Sequence, residues 1–165
     1  MTAQVSEPLQ FRDMSLSMCS TPLDVFLSST PRNTRFQEVS TACWRRYVGR
    51  WEIRGDRLYL VGLSAVAEDG NPVGLEDLFP GFPDGVFAHW FTGEVRCPIG
   101  RQVKYVHMGF SSQFERDLFL GFKAGVLISE RVVQNGKAPA GAPKHYGPRA
   151  WLARAVTPKK ERHEE

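Results

Sequence analysis

The chain has 165 residues, 42% of them hydrophobic and 24% charged, with a net charge of +3. That length supports one substantial core and a single domain. No run approaches the roughly 18 apolar residues of a membrane-spanning helix, and the opening MTAQVSEPLQFRDMS lacks the basic-then-apolar order of a secretory leader, so a soluble cytoplasmic protein is expected.

Three cysteines at unrelated spacings, Cys19, Cys43 and Cys97, form no C-x-x-C pair. They read as reduced thiols, with Cys97 packing as a small hydrophobe. In the N-terminal segment, residues 1–40, prolines 8, 22 and 31 and many Ser and Thr interrupt any long element. Ser20-Thr21-Pro22-Leu23-Asp24 has the order of a helix start, with a hydroxyl cap, proline in the first turn and an acid near the positive end of the dipole. A short helix is expected at Pro22–Ser28, its Leu23, Phe26 and Leu27 covering one side of a sheet.

Residues 41–136 carry the expected β domain. Within WRRYVGRWEIRGDRLYLVGL, residues 44–63, two alternating runs flank Gly55-Asp56 and spell out a β-hairpin. Glycine at the first central position points to a type II′ turn. That turn sets Ile53 against Leu58, Trp51 against Leu60 and Gly49 against Gly62 on an apolar face, with Glu52 opposite Tyr59 and Arg50 opposite Val61 on a mixed face. The gap left by the two glycines is either filled by an aromatic ring, such as Trp51, or is the floor of a pocket. Trp44, Trp51 and Trp90 suit core filling better than a ligand groove. Arg45, Arg46, Arg50, Arg54 and Arg57 form the coherent basic candidate surface of the chain, although charge on a sheet face also serves solubility and blocks edge-to-edge pairing.

The stretch AEDGNPVGLEDLFPGFPD, residues 67–84, is rich in Gly, Pro and Asp, with one helical turn expected over Leu75–Phe79. Asp69-Gly70-Asn71-Pro72 is a turn and supplies too few oxygens for calcium. Leu75, Leu78, Phe79 and Phe82 stand among Glu76, Asp77 and Asp84. Apolar residues rimmed by charge mark partner surfaces, while proline-bracketed loops also fold back as plugs on a sheet. Both readings stay open.

Val86–Cys97 alternates, and Pro98-Ile99-Gly100 reads as a three-residue hairpin connection. This pairs Val95 with Val103, Gly93 with Tyr105, Phe91 with His107 and His89 with Gly109. In that register His89 and His107 lie diagonally on adjacent strands, about 7 to 8 Å apart at the backbone, a candidate pair for a metal or for proton transfer. A third hairpin, residues 117–134, turns at Lys123-Ala124-Gly125 with Leu120 opposite Ile128 and Phe122 opposite Val126. Residues 137–165 read as a mobile basic tail in which Tyr146, Trp151 and Leu152 carry enough apolar surface to dock. Three successive hairpins give a mainly β fold, an antiparallel meander of about six strands forming a half-open sheet or barrel, with a short N-terminal helix. Its two edges call for barrel closure or for homodimer pairing through a sheet edge.

The segments STACWRRYVGRWEIRGDRLYLVGL, VFAHWFTGEVRCPIG and KYVHMGFSSQFERDLFLGF resemble an uncharacterised family of small β-rich bacterial proteins met on chromosomes and conjugative plasmids, over about residues 40–134. The resemblance implies a β-rich fold and an accessory-gene setting, in which small proteins often act as immunity factors or inhibit plasmid transfer. It transfers no catalytic residue. Phosphate-binding, dinucleotide, nucleophile-elbow and zinc-protease motifs are absent from the sequence, and no cofactor is expected. The reading that results is a non-enzymatic bacterial protein that binds and inhibits a protein partner through Arg46, Arg50, Arg54, Leu75, Leu78, Phe79 and Phe82. A nucleic-acid-binding β domain using the arginine-rich hairpin is the first alternative, and a small enzyme or metal site around His89 and His107 the second.

Overall fold

A computed structural model describes residues 3–29 and 36–144. Nine strands and two helices follow in order: β1 (Glu7–Phe11), β2 (Met14–Met18), α1 (Pro22–Ser29), β3 (Tyr47–Arg54), β4 (Arg57–Val66), β5 (Pro72–Val73), α2 (Leu75–Leu78), β6 (Val86–Phe87), β7 (Gly93–Lys104), β8 (Gln113–Lys123) and β9 (Val126–Gln134). The fold is mainly β, but it is a nine-stranded mixed sheet and not a six-stranded meander. The path runs β2-β1-β3-β4-β9-β8-β7, with β5 and β6 added on β4. The N-terminal segment supplies β1 and β2, and β1 lies parallel to β3, with Leu9 beside Trp51 and Phe11 beside Ile53. No helix among the described residues is long and apolar enough to cross a membrane.

The β3–β4 hairpin forms where the alternation places it, with Ile53 opposite Leu58 and Trp51 opposite Leu60. Trp51, Leu58 and Leu60 are buried, whereas Arg50, Arg54 and Arg57 are exposed. Two details differ. Gly55 and Asp56 both take positive φ, 53° and 61°, so the turn is type I′, which Asp tolerates and whose twist suits the strands. A bulge between Arg50 and Trp51 then shifts the register, so Arg50 faces Gly62 and Gly49 faces Leu63. The space above Gly49 is taken by the Trp51 indole, Glu7 and Leu60, as ring filling predicts.

Pro98-Ile99-Gly100 does not turn. β7 continues through it and pairs with β8, setting Val95 against Leu120 and Cys97 against Leu118. All four of these side chains are buried, and that burial outweighs the local turn preference of Pro and Gly. β7 ends the strand path, a position where proline's missing N–H is tolerated. The outer side of β7 receives the Cys19 N–H at the Arg96 carbonyl (2.8 Å), which brings β2 and β7, the two ends of the path, together.

The β8–β9 hairpin is present with a tighter turn, Ala124-Gly125, so Phe122 faces Leu127 and, past a second bulge, Leu120 faces Glu130 rather than Ile128. Gly125 has φ +78°, and a Cβ there would stand 2.5 Å from the Ala88 carbonyl oxygen and 2.8 Å from Phe87 Cε2. Gly125→Val is therefore expected to cost about 2 to 3 kcal/mol from backbone strain plus the clash, read as a lower urea midpoint at unchanged m-value.

Helix α1 lies where expected, with Leu23 buried and Phe26 and Leu27 packed on the core. The stretch 137–144 is bonded to β7: Gln102 donates its N–H to the Pro143 carbonyl (2.7 Å) and Arg101 reaches that of Ala142 (2.8 Å). The expected docking of Tyr146, Trp151 and Leu152 lies outside the described residues.

Candidate functional site

The outward face of β3–β4 is the strongest candidate surface. Arg54 donates to Glu52 (3.0 Å) and to the Asp84 carbonyl (3.3 Å), and its guanidinium stands 5.3 Å over the Tyr59 ring. The bond from Arg54 holds the Glu52 carboxyl below its ordinary range. Arg57 stands 5.2 Å over Phe87, and Arg50 extends across Gly62, a position with no side chain to displace it. Among the described residues no carboxylate forms an ion pair with Arg50 or Arg57. Strand alternation thus presents three cations, two of them with aromatic faces beneath.

Two of the five hairpin arginines do not belong to this row. Arg46, at positive φ, bonds the Phe36 carbonyl and pairs with Glu38 (3.7 Å). Arg45 points inward, its side chain 7% exposed.

The loop candidates separate in the same way. Leu75 and Leu78 are core residues, placed there by α2, and are not partner-facing. Gly74 begins that helix, its N–H bonded to Asp77 (2.7 Å). Phe79 stacks on Trp90 at 5.6 Å and packs on Phe26 at 4.7 Å. Of the four apolar loop residues only Phe82, 54% exposed, faces solvent. The loop is a plug carrying one exposed ring. Trp51 is buried and Trp90 half-buried, while Trp44 is exposed rather than core.

The histidine pairing does not form, because the hairpin that would have joined the two residues is absent. His89 lies in the β6–β7 connection beside Phe87 and Trp90, and the His107 Nδ1 is 2.7 Å from the Tyr105 hydroxyl beyond β7. Among the described residues no three His, Cys, Asp or Glu side chains gather as a metal would require. The cysteines are free and buried, and burial pushes the Cys97 thiol up to about 12.

Sequence reasoning missed two polar clusters. In the first, Glu7 on β1 is fully buried and accepts bonds from the Gly49 N–H and from Trp51 Nε1 (3.1 Å). Arg45 Nε is 3.5 Å away, while its Nη1 holds the Val5 carbonyl (2.9 Å). Tyr47 follows, its hydroxyl donating to Asp24 on α1 (2.6 Å). Burial raises the Glu7 carboxyl to about 7 against the opposing pull of Arg45. In the second, Arg96 bonds Asp117 (2.9 Å) and the carbonyls of Phe110 and Ser112, and Asn135 bonds the other Asp117 oxygen (2.8 Å). Arg96, Phe110, Asp117 and Asn135 line a recess of about 420 Å³, yet the bonds of Arg96 hold the β7–β8 connection in place, a structural task.

No protein-family model matches the chain, and neither does any curated protein or solved structure.

Proposed function

We propose that this chain is a non-enzymatic accessory protein of the bacterial cytoplasm that binds and blocks a protein partner, of the immunity or plasmid fertility-inhibition type. The observation that carries the binding reading is the exposed row Arg50, Arg54 and Arg57, two of whose guanidinium groups have no carboxylate partner among the described residues. Planar guanidinium groups suit bidentate pairing with partner carboxylates, and Phe82 supplies a neighbouring apolar contact, since Arg54 reaches the Asp84 carbonyl of the same loop. The inhibitory and plasmid setting rests on the resemblance of residues 40–134. Charge at such a surface governs orientation and association rate more than raw affinity. In capture from a bacterial lysate, Arg50→Glu/Arg54→Glu is therefore expected to lose the partner that the unaltered chain retains, with association slowed at least about tenfold. Retention of every captured protein by the double variant would overturn the reading.

A nucleic-acid reading stands second, favoured by the guanidinium groups of Arg54 and Arg57 lying over the Tyr59 and Phe87 rings, an arrangement compatible with stacked bases. It requires probe retention that falls steeply between about 50 and 200 mM salt.

A further inference from the structure

Beyond its first residues, β9 is paired on a single side among the described residues. β4 meets β9 only at Arg57 and Val126, while β8 pairs with β9 from Val126 through Gln134. Among the described residues no strand covers the other edge of β9 beyond its first residues. Ile128, Val132 and Val133 are 65%, 52% and 36% exposed along it.

Two observations fix which backbone groups this edge offers. The Leu127 N–H points away from β8, toward Asp56 (2.7 Å), whereas the Asn135 N–H points into β8, toward Glu115 (2.8 Å). Two odd-numbered residues facing opposite ways require one inserted residue, and the register shift leaves Ile128 as that residue. Past the bulge, alternation then turns the N–H and C=O of Glu130, Val132 and Gln134 outward.

Free sheet edges are ordinarily protected by unpaired charge. Here each charge is neutralised within the chain: Glu130 by Arg12 (3.0 Å) and Arg131 by Glu94 (2.7 Å). The edge is thus apolar in character and carries three outward N–H and C=O pairs.

We propose that a second copy of this chain pairs antiparallel with this edge about a two-fold axis at Val132. A two-fold axis normal to the sheet sets residues of equal parity opposite each other. Centring on Glu130 or Arg131 opposes like charges. Centring on Val132 sets Val132 against itself, Glu130 against the partner's Gln134 and Arg131 against the partner's Val133, and it pairs every outward group from 130 to 134. Centring on Val133 also avoids opposed like charges but sets Glu130 and Arg131 against residues past the end of β9, so Val132 is the centre that keeps all of 130–134 paired within the strand. The interface is independent of the arginine face.

The test is the mass of the full chain by light scattering after size exclusion across micromolar concentrations. Twice the mass of one chain is expected. Val132→Lys keeps every N–H and sets two ammonium groups face to face, and it is expected to shift the species to one-chain mass with an unchanged far-UV spectrum. Val132→Pro removes an outward N–H and no donor of the β8 ladder, and is expected to do the same. Val132→Cys is expected to cross-link under diamide, whereas Ser129→Cys is not. A monomeric unaltered chain, a dimer that survives Val132→Lys, or equal cross-linking at 129 and 132 would each overturn the proposal. Should one variant fail to fold, the remaining two decide.

Discussion

Arg45→Ala is expected to lower the unfolding free energy by about 3 to 5 kcal/mol near pH 8, the cost of stranding a buried charge. Glu7 is fully buried, and Arg45 is the cation beside it, at 3.5 Å. The bonds from Gly49 and Trp51 satisfy carboxylate lone pairs but bring no net positive charge. Removing the guanidinium also releases the Val5 carbonyl. The loss should shrink near pH 5, where a protonated Glu7 needs no counter-charge. Arg45→Met with Glu7→Gln is expected to recover most of the stability, since a buried pair replaced together by neutral groups is often neutral or better. Part of the pair's own cost is visible in the wild type, because the buried Nε and Nη2 of Arg45 have no hydrogen-bond partner among the described residues. Urea midpoints at unchanged m-value provide the measure. A loss under about 1 kcal/mol would mean that solvent reaches the site and screens the pair.

The same pair shows why some of this architecture is legible in sequence and some is not. The β3–β4 hairpin was readable because its determinants are local: alternating Trp51, Ile53, Leu58 and Leu60 around a two-residue turn. Helix α1 at Pro22, the short α2 in the plug and the β8–β9 turn are local in the same sense. β1 was not, because the alternation of Glu7, Leu9 and Phe11 places a carboxylate at an inward position, which reads as polar until its partners are known. Parallel pairing of β1 with β3 joins residues far apart in the chain and leaves no short-range mark. Nor does anything near Arg45 and Arg46 say which of two adjacent arginines goes inside. That choice is made by Glu7 and by the Val5 carbonyl, both on the opposite side of the α1 segment.

Pro98-Ile99-Gly100 is the converse case, a strong local turn pattern overridden from a distance. Val95 and Cys97 find Leu120 and Leu118 only if β7 runs straight on into β8 pairing. Losing that hairpin dissolves the His89–His107 diagonal, while the outward arginines, which depend only on strand alternation, keep their place. Outward placement of Arg50, Arg54 and Arg57 follows from local periodicity, whereas the histidine diagonal needed a register that β7 does not adopt.

Stability is expected to fall as pH rises from about 4.5 to about 7, by up to about 3 kcal/mol from Glu7 alone. The folded-state carboxyl lies at about 7 against an ordinary value of 4.5, raised first by burial and lowered by Arg45. The fold therefore favours the protonated acid. Below pH 4.5 the carboxyl is neutral in folded and unfolded chains alike and the contribution is fully present. Through the window the unfolded chain ionises first, and above about 7 the loss is complete. Asp24, Tyr47, Cys43 and Arg45 are the titratable or charged groups around this carboxyl. Burial pushes the Tyr47 hydroxyl and the Cys43 thiol upward, away from the window. Glu52 and Asp69, whose carboxyls are held low, contribute in the opposite sense at more acid pH. Glu7→Gln keeps an oxygen for Gly49 or Trp51 and removes the titration, so its unfolding free energy should be level across the window where the wild type slopes. Parallel curves for the two proteins would show that Glu7 binds its proton equally in both states, and the buried pairing with Arg45 would then no longer account for the inward turn of that arginine.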